Sequence, residues 1–173
     1  MIVIVAGVSG SGKTTVGQLL ARHLGVAYAE ADDFHPPENI AKMAAGTPLT
    51  DADRAPWLAA IGAFADARMA RGESAVVTCS ALKRSYRDGL RRGRPELRIV
   101  YLEGSREVIA RRLTARKGHF FPERLLDSQF RDLEPPEPDE GVLTVPISGT
   151  AEEIVREIVA GLSVGGVGSG PPT

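Results

Sequence analysis

The sequence predicts an α/β fold in which a five-stranded parallel sheet lies between layers of helices. Five short apolar runs are typical of strands buried on both faces, namely IVIVA (2–6), VAYAE (26–30), SAVVTC (74–79), LRIVYL (97–102) and VLTVPI (142–147). Helical patterns separate these runs, and strands that alternate with helices favour a parallel sheet. A glycine-rich turn follows the first run directly, as is typical where a buried strand leads into a helix.

Seven helices are predicted between and after the strands. They cover residues 13–24, 37–45, 51–70, 81–92, 106–115, 122–133 and 151–162. The stretch EPPEPDEG (134–141) is a connector within one domain, because the strand and helix that follow it complete the layers. We therefore expect a single domain over residues 1–162. The remaining segment, 163–173, is largely Gly, Ser and Pro and predicts a disordered tail.

The charge balance excludes a strongly basic or acidic protein. Lysine and arginine total 21 against 22 aspartates and glutamates in 173 residues, so we expect neither nucleic acid nor a membrane surface as a partner. The single cysteine, Cys79, cannot form an internal disulfide, and the apolar run from Ile2 to Val5 is too short for a signal peptide or a membrane span. A cytoplasmic protein with small-molecule partners is expected. The number of subunits is left open, a homodimer included.

The strongest motif is GVSGSGKTT (7–15), which fits G-x-x-x-x-G-K-[ST] between a predicted strand and a predicted helix. Its glycines allow successive backbone N–H groups to surround phosphate oxygens at the positive end of the helix. We expect Lys13 to bridge the β- and γ-phosphates and the Thr14 hydroxyl to bind Mg²⁺. A plain Gly/Ser turn is the alternative, and the complete motif in its required context disfavours it. The predicted nucleotide-binding residues are Gly7, Val8, Ser9, Gly10, Ser11, Gly12, Lys13, Thr14 and Thr15.

The acceptor of the phosphoryl group has to bind at the carboxyl ends of the strands, where ligands of parallel sheets collect. EADDFHPPENIAKM (30–43) begins at the end of the second predicted strand. Asp32 is the candidate for the base that orients a hydroxyl and accepts its proton. On the helix that follows, His35, Asn39 and Lys42 form a polar stripe suited to an anionic, polyhydroxylated molecule. The alternative is that the aspartates only begin a turn and that the stripe is solvated surface.

Two basic segments follow the later strands. In CSALKRSYRDGLRR (79–92), Ser80 can cap a helix or donate to the substrate, and Lys83 and Arg87 can pair with a carboxylate or a phosphate. In RRLTARKGHFFPERLLDSQF (111–130), a basic stretch interrupted by Gly118 predicts a lid over about residues 116–130 that closes on nucleotide. A solvated basic face and an ordinary helical hairpin remain the respective alternatives.

Four stretches in this order resemble the gluconokinases, small P-loop kinases related to shikimate and nucleoside monophosphate kinases. They are GVSGSGKTT, DDFHPPENIAKMAAGTPLTDADRAPWL, CSALKRSYRDGLR and ARKGHFF, and the resemblance runs from about residue 2 to 162. It implies a three-layer α/β P-loop kinase with a mobile lid that phosphorylates D-gluconate on its 6-hydroxyl with ATP. Relatives often have aspartate where this chain has Glu30, a position that the resemblance associates with the outer shell of the magnesium ion.

The motifs and the resemblance together imply roles for individual residues. Lys13, Asp32 and Arg116 are the expected catalytic residues, with Thr14 as the metal ligand. The expected substrate-binding residues are Asp32, His35, Lys42, Arg54, Ser80, Lys83, Arg87 and His119. Arg112 and Arg116 are assigned to the nucleotide. Two alternatives stay open: another kinase of carboxylated polyols, such as a shikimate kinase, and a non-catalytic nucleotide-binding regulatory module.

Overall fold

The computed structural model describes residues 1–115 and 123–164, in which five parallel strands form one sheet. The strands are β1 (Ile2–Ala6), β2 (Ala27–Glu30), β3 (Ala75–Cys79), β4 (Leu97–Glu103) and β5 (Leu143–Pro146). Their order across the sheet is β2-β3-β1-β4-β5, and all four pairings are parallel. All strands therefore end at the same edge of the sheet, and β1 ends in the middle of that edge.

The described residues contain seven α-helices. They are α1 (Lys13–Leu24), α2 (Pro37–Ala44), α3 (Asp51–Ala70), α4 (Arg84–Arg91), α5 (Arg106–Ala115), α6 (Glu123–Asp132) and α7 (Ala151–Val164). Short 3₁₀ turns cover Ala31–Phe34 and Pro138–Glu140. None of these helices combines the length and apolar character needed to cross a membrane.

The predicted helix bounds differ from the structure by more than one residue at two places. The fourth helix was expected from residue 81 but begins at Arg84, because Ala81 has a φ of +41° and lies outside the helical region. The last helix continues to Val164, two residues beyond its predicted end at residue 162. The rest of the predicted tail, 165–173, and residues 116–122 of the predicted lid lie outside the described residues.

Helices cover both faces of the sheet, as predicted. Val3 and Val5 of β1 point to one face and belong to a buried cluster with side chains of α1, α5, α6 and α7. Ile2 and Ile4 point to the other face and pack with side chains of α3 and α4. This alternation follows from the two-residue period of a strand, and it confirms the three-layer architecture.

Arg87 is part of this packing and does not face a substrate. Its side chain is 1% exposed, and its Nε and NH2 atoms donate to the two oxygens of Glu140 at 2.7 and 2.8 Å. Its NH1 atom donates to the carbonyls of Ala81 and Leu82 at 3.2 and 3.1 Å. The assignment of Arg87 to a substrate carboxylate is therefore wrong, because its donors are already bound inside the protein. The pair ties α4 to the 3₁₀ turn before β5.

Replacing Arg87 should destabilise the fold. Arg87→Met leaves Glu140 buried without its partner, and breaking a buried ion pair from one side costs about 3–5 kcal/mol. The pKa of Glu140 is lowered, chiefly by its hydrogen bonds from Arg87, so the pair stabilises the protein above the ordinary glutamate pKa. This contribution is lost as the pH falls through the lowered pKa. Thermal unfolding at pH 7 should show a Tm lower by about 10 °C.

Arg92→Met is the matched control, because Arg92 is exposed and lies just beyond the end of α4. Its free energy of unfolding should stay within about 0.5 kcal/mol of the starting protein. An Arg87→Met protein of unchanged Tm with a raised KM for an acidic substrate would restore the original assignment.

Candidate active site

The loop between β1 and α1 has the backbone that an anion site requires. Gly10 and Gly12 have φ values of +81° and +95°, in the region that favours glycine. A Cβ on Gly10 would lie 2.7 Å from the side chain of Leu113, so the loop is also packed too closely for a larger residue. Helix α1 begins at Lys13, directly after the loop, and directs its N-terminal N–H groups toward it.

Lys13 turns back over the loop. Its Nζ donates to the carbonyl of Val8 at 2.9 Å. Burial lowers the pKa of this ammonium group, while the negative charges of Asp32 and Glu30 oppose the shift. These two carboxylates therefore lie on the lysine side of the loop, at the end of β2.

Glu30 accepts hydrogen bonds from Tyr28 of its own strand and from Thr78 of the neighbouring strand β3. Burial alone would raise the pKa of Glu30, but hydrogen bonds from Thr78, Tyr28 and Thr14 and the charge of Lys13 lower it overall. Burial next to this carboxylate raises the pKa of Tyr28 to about 12, so the phenol stays a donor. A fixed negative charge thus lies against the hydroxyl of Thr14, the predicted magnesium ligand.

Asp32 lies in the 3₁₀ turn that follows β2 and is exposed. Trp57 of α3 fixes this turn, because its Nε1 donates to the carbonyl of Ala31 at 2.6 Å. The Trp57 ring also stacks on His35, with centroids 4.4 Å apart and planes 10° from parallel. One buried tryptophan therefore positions two of the predicted substrate residues.

The surroundings of His35 favour its neutral form. Burial lowers its pKa, and Arg54 lowers it further, although Asp32 acts in the opposite direction. Its Nδ1 lies 3.2 Å from Nδ2 of Asn39, which is 3% exposed and donates to the carbonyl of Asp53 at 2.8 Å. Because Asn39 Nδ2 is a donor, His35 Nδ1 accepts, and its proton is on Nε2. The histidine is suited to hydroxyl groups rather than to a carboxylate.

Three predicted cations lie against carboxylates of the first turn of α3. Lys42 donates to both oxygens of Asp53 at 2.8 and 2.9 Å, and this bond lowers the pKa of Asp53 to about 2. Lys83 Nζ lies 3.0 Å and Arg54 NH1 3.9 Å from Oδ1 of Asp51. These residues are brought to one side of the site by the start of a single helix.

Tyr86 lies at the centre of a group of charged side chains. We call Arg54, Lys83, Tyr86 and Asp51 together the basic cluster. The charged groups of Arg54 and Lys83 lie 5.8 and 5.7 Å from the Tyr86 ring centroid. The Tyr86 hydroxyl donates to Asp51 and receives a 3.1 Å hydrogen bond from Arg54 NH1. The cluster holds two cations, a hydroxyl and one exposed carboxylate in a geometry that suits a small acid.

A cavity of about 340 Å³ lies on the other side of the phosphate loop. It is lined by Gly10, Ser11, Gly12, Thr15, Val16, Arg112, Leu113, Ala115, Gly149, Ala151 and Ile154. The NH2 atom of Arg112 donates to the carbonyl of Ile147 and is thereby fixed at the cavity wall. Polar backbone on one side and apolar side chains on the other are suited to the base and sugar of a nucleotide.

Comparison with known proteins identifies the family. Residues 2–136 match a family model described as an AAA domain. The thermoresistant gluconokinase of Escherichia coli (strain K12) is 45% identical over 159 residues, which cover 91% of this chain and 91% of that protein. A gluconokinase from Sinorhizobium meliloti 1021 has a crystal structure that matches with a TM-score of 0.84 at 50% identity, over 94% of this chain and 91% of its own. The chain belongs to the gluconokinase family.

The fold extends beyond the gluconokinases. Shikimate kinase from Aquifex aeolicus vf5 has a TM-score of 0.62 at 18% identity, over 98% of this chain and 100% of its own. At this identity the likeness shows a shared P-loop kinase fold and nothing about the acceptor.

This gluconokinase-family chain brings most of its predicted site residues to one edge of the sheet. The loop residues Gly7 to Thr15, Asp32, His35, Lys42, Arg54 and Lys83 lie there, and their roles stay predictions. Ser80 does not cap α4, which has Lys83 at its N-cap, but its carbonyl accepts the N–H of Gly7 at 3.3 Å. Arg116 and His119 lie outside the described residues.

Sequence reasoning missed the partners of these residues. Asp51 and Asp53 were assigned only to a helix start, although the spacing of Thr50 and Asp53 is that of a capping box. The Tyr86 hydroxyl carries no motif that would single it out in the sequence. A helix cap is visible in sequence, but the cations that its acidic residues contact come from α2 and the loop before α4.

Glu30 should support magnesium binding through Thr14. Glu30→Gln removes the charge and an acceptor, and loss of such an outer-shell partner typically weakens metal binding about tenfold or more. Calorimetric titration of a non-hydrolysable ATP analogue at increasing Mg²⁺ should show this shift, whereas Glu30→Asp, which retains the charge, should shift less.

Glu96→Gln is the control, because Glu96 lies at the opposite edge of the sheet, 3.7 Å from the N-terminal ammonium group. An unchanged Mg²⁺ requirement in Glu30→Gln would show that Glu30 serves only the packing of Tyr28 and Thr78.

Proposed function

We propose that this protein transfers the γ-phosphoryl group of ATP to the 6-hydroxyl of D-gluconate, giving 6-phospho-D-gluconate and ADP. The observation that carries the proposal is the placement of Asp32. This exposed carboxylate acts electrostatically on Lys13 of the phosphate loop and on His35 of the acceptor side. Membership of the gluconokinase family supports the choice of acceptor.

The residues at the nucleotide end fit ATP and Mg²⁺. The loop offers backbone donors and a desolvated lysine to phosphate oxygens, and the exposed Thr14 hydroxyl beside Glu30 supplies the hard oxygen environment that Mg²⁺ prefers. When bound, Mg²⁺ neutralises part of the charge on the β- and γ-phosphates. Arg112 would contact the nucleotide at the cavity, and Arg116 is also assigned to the nucleotide.

Asp32 orients the 6-hydroxyl and accepts its proton as the gluconate oxygen bonds to the γ-phosphorus. The bond from that phosphorus to the β–γ bridging oxygen breaks, and ADP departs with the electron pair. Lys13 Nζ keeps one N–H on the Val8 carbonyl and directs its remaining donors to the phosphates, where its charge stabilises the transition state.

The carboxylate of gluconate binds in the basic cluster. With Arg87 withdrawn into the core, Arg54 and Lys83 are the cations beside Tyr86 that remain accessible, at 24% and 26% side-chain exposure. Because Asp51 contacts both Arg54 and Lys83, its carboxylate must move away from these cations or share them when the gluconate carboxylate binds. His35, whose lowered pKa favours the neutral form, and Lys42, which is bound to Asp53, lie outside the basic cluster. They are suited to the hydroxyl groups of gluconate.

An acceptor screen tests this function. With Mg²⁺ and ATP, release of ADP should rise strongly on addition of gluconate and not on addition of shikimate. Stimulation by shikimate instead would make the protein another carboxylated-polyol kinase. Equal, slow release with every acceptor would favour the regulatory module. The cytoplasmic location and the homodimer stay predictions.

Two substitutions should impair gluconate phosphorylation in different ways. Asp32→Asn keeps the shape but removes the base, so kcat should fall by roughly 10²- to 10⁴-fold with little change in the KM for gluconate. Arg54→Met removes a charge-assisted bond to the carboxylate, so the KM for gluconate should rise by about tenfold or more. Steady-state kinetics with varied gluconate separates the two.

The control is Arg71→Met, which loses an exposed arginine at the far end of α3 whose ion pair is with Glu73. It should leave both constants unchanged. If Arg54→Met does the same, the carboxylate binds elsewhere, and Lys83 and Lys42 are the next positions to replace.

A further inference from the structure

The side chain of Gln129 in helix α6 hydrogen-bonds to Ser9 of the phosphate loop. The backbone N–H of Ser9 donates to Oε1 of Gln129 at 2.6 Å, and Nε2 of Gln129 donates to the Ser9 hydroxyl at 2.8 Å. Because the Ser9 N–H can only donate, the orientation of the carboxamide is fixed by its partners. Both bonds are partly buried and join residues 120 positions apart.

The same peptide group is held from its other side by Lys13. The N–H of Ser9 and the carbonyl of Val8 belong to one planar peptide unit, and Lys13 Nζ donates to that carbonyl at 2.9 Å. A continuous chain therefore runs from Gln129 through the peptide to the ammonium group of Lys13. Hydrogen bonds in such a chain polarise and strengthen one another.

Gln129 is held in place by the rest of α6. Leu126 is buried in the core at 2% exposure, and Asp127 pairs with NH2 of Arg106 at 2.6 Å. Beyond the helix, the N–H of Glu134 donates to the Leu82 carbonyl at 2.9 Å, and its carboxylate accepts the N–H of Arg84 at 2.8 Å. The helix is thus fixed on both sides of Gln129, so its carboxamide presents a defined partner to the loop.

We propose that Gln129 is a positioning residue that acts through Lys13. Its carboxamide fixes the orientation of the Val8–Ser9 peptide, and this orientation holds the Lys13 ammonium group at the loop before the triphosphate binds. Without Gln129 the peptide can rotate, the carbonyl no longer holds the lysine, and binding of the triphosphate must then include the ordering of both. The proposal rests on the proposed function only in that the loop binds a nucleoside triphosphate.

The test is a double-mutant cycle between Gln129 and Lys13, with a non-hydrolysable ATP analogue and Mg²⁺ as the probe in calorimetry. Gln129→Met keeps the length of the side chain and removes both hydrogen bonds, so the Kd should rise by about tenfold. Lys13→Met should raise the Kd further. The double variant should bind as Lys13→Met does, within about twofold, because Gln129 has no lysine left to position.

Two outcomes would overturn the proposal. One is a Gln129→Met protein whose Kd stays within about twofold of the starting protein. The other is a double variant in which the two losses multiply, which would give Gln129 a general structural role. Gln129→Asn, which keeps the carboxamide but is shorter by one methylene, replaces Gln129→Met in the cycle if the latter does not fold.

Gln18→Met is the matched control, since it makes the same chemical change at an exposed position of α1 and should leave the Kd unchanged. The measurement requires no acceptor, so it tests Gln129 even if gluconate is not phosphorylated. Conversely, if the effects of the Gln129 and Lys13 substitutions on Kd multiply, the role of Gln129 is refuted while gluconate phosphorylation can still take place.

Discussion

Strand β1 is buried on both faces and paired with a strand on both edges. The position of every group in the candidate active site depends on this central place of β1. Because β3 and β4 run parallel to β1 on either side, only its carboxyl end is free to carry a loop that binds a ligand. The phosphate loop occupies that end. Other segments contribute side chains and backbone groups around this loop. They are the 3₁₀ turn after β2, the residues around Ser80 after β3, and helix α6 through Gln129. The sheet order thereby places the proposed acceptor residues on the β2 and β3 half and the cavity proposed for the nucleotide on the other half.

Burial separates the cations that hold the fold from those available to a substrate. Lys42, Arg54, Lys83 and Arg87 each lie against a carboxylate, so an ion pair alone does not distinguish them. Arg87 and its Glu140 partner are each 1% exposed in their side chains, whereas the side chains of Arg54 and Lys83 are 24% and 26% exposed. An exposed pair contributes little stability and can exchange partners, while a buried pair that loses one member is left with an uncompensated charge.

Much of the fold followed from the sequence because its signals are local. Continuous apolar runs, the glycine-rich loop and the start of α3 each depend on neighbouring residues, and the bounds of α1 and α3 agree with the prediction. The predicted role of Arg87 was wrong because its partner, Glu140, is 53 positions away, in a segment without the apolar periodicity of a helix or a strand. A basic side chain on an amphipathic helix gives the same pattern whether it meets solvent or a buried acid. The bonds of Gln129 to Ser9 were missed for the same reason.

Glu30 and Asp32 show how closely spaced acids can serve different ends of one reaction. Glu30 is the last residue of β2, and its oxygens are bound by Tyr28, Thr78 and Thr14, so its charge is fixed beside the hydroxyl of Thr14, the proposed magnesium ligand. Asp32 lies beyond the strand, in a turn fixed by Trp57 at Ala31, and is exposed. Both charges oppose the effect of burial on the Lys13 pKa, so they help this desolvated lysine to stay protonated for the phosphates. A bound carboxylate cannot readily accept a proton, whereas an exposed one can. The different surroundings of the two acids therefore support the proposed roles, with Glu30 beside the magnesium ligand and Asp32 as the base.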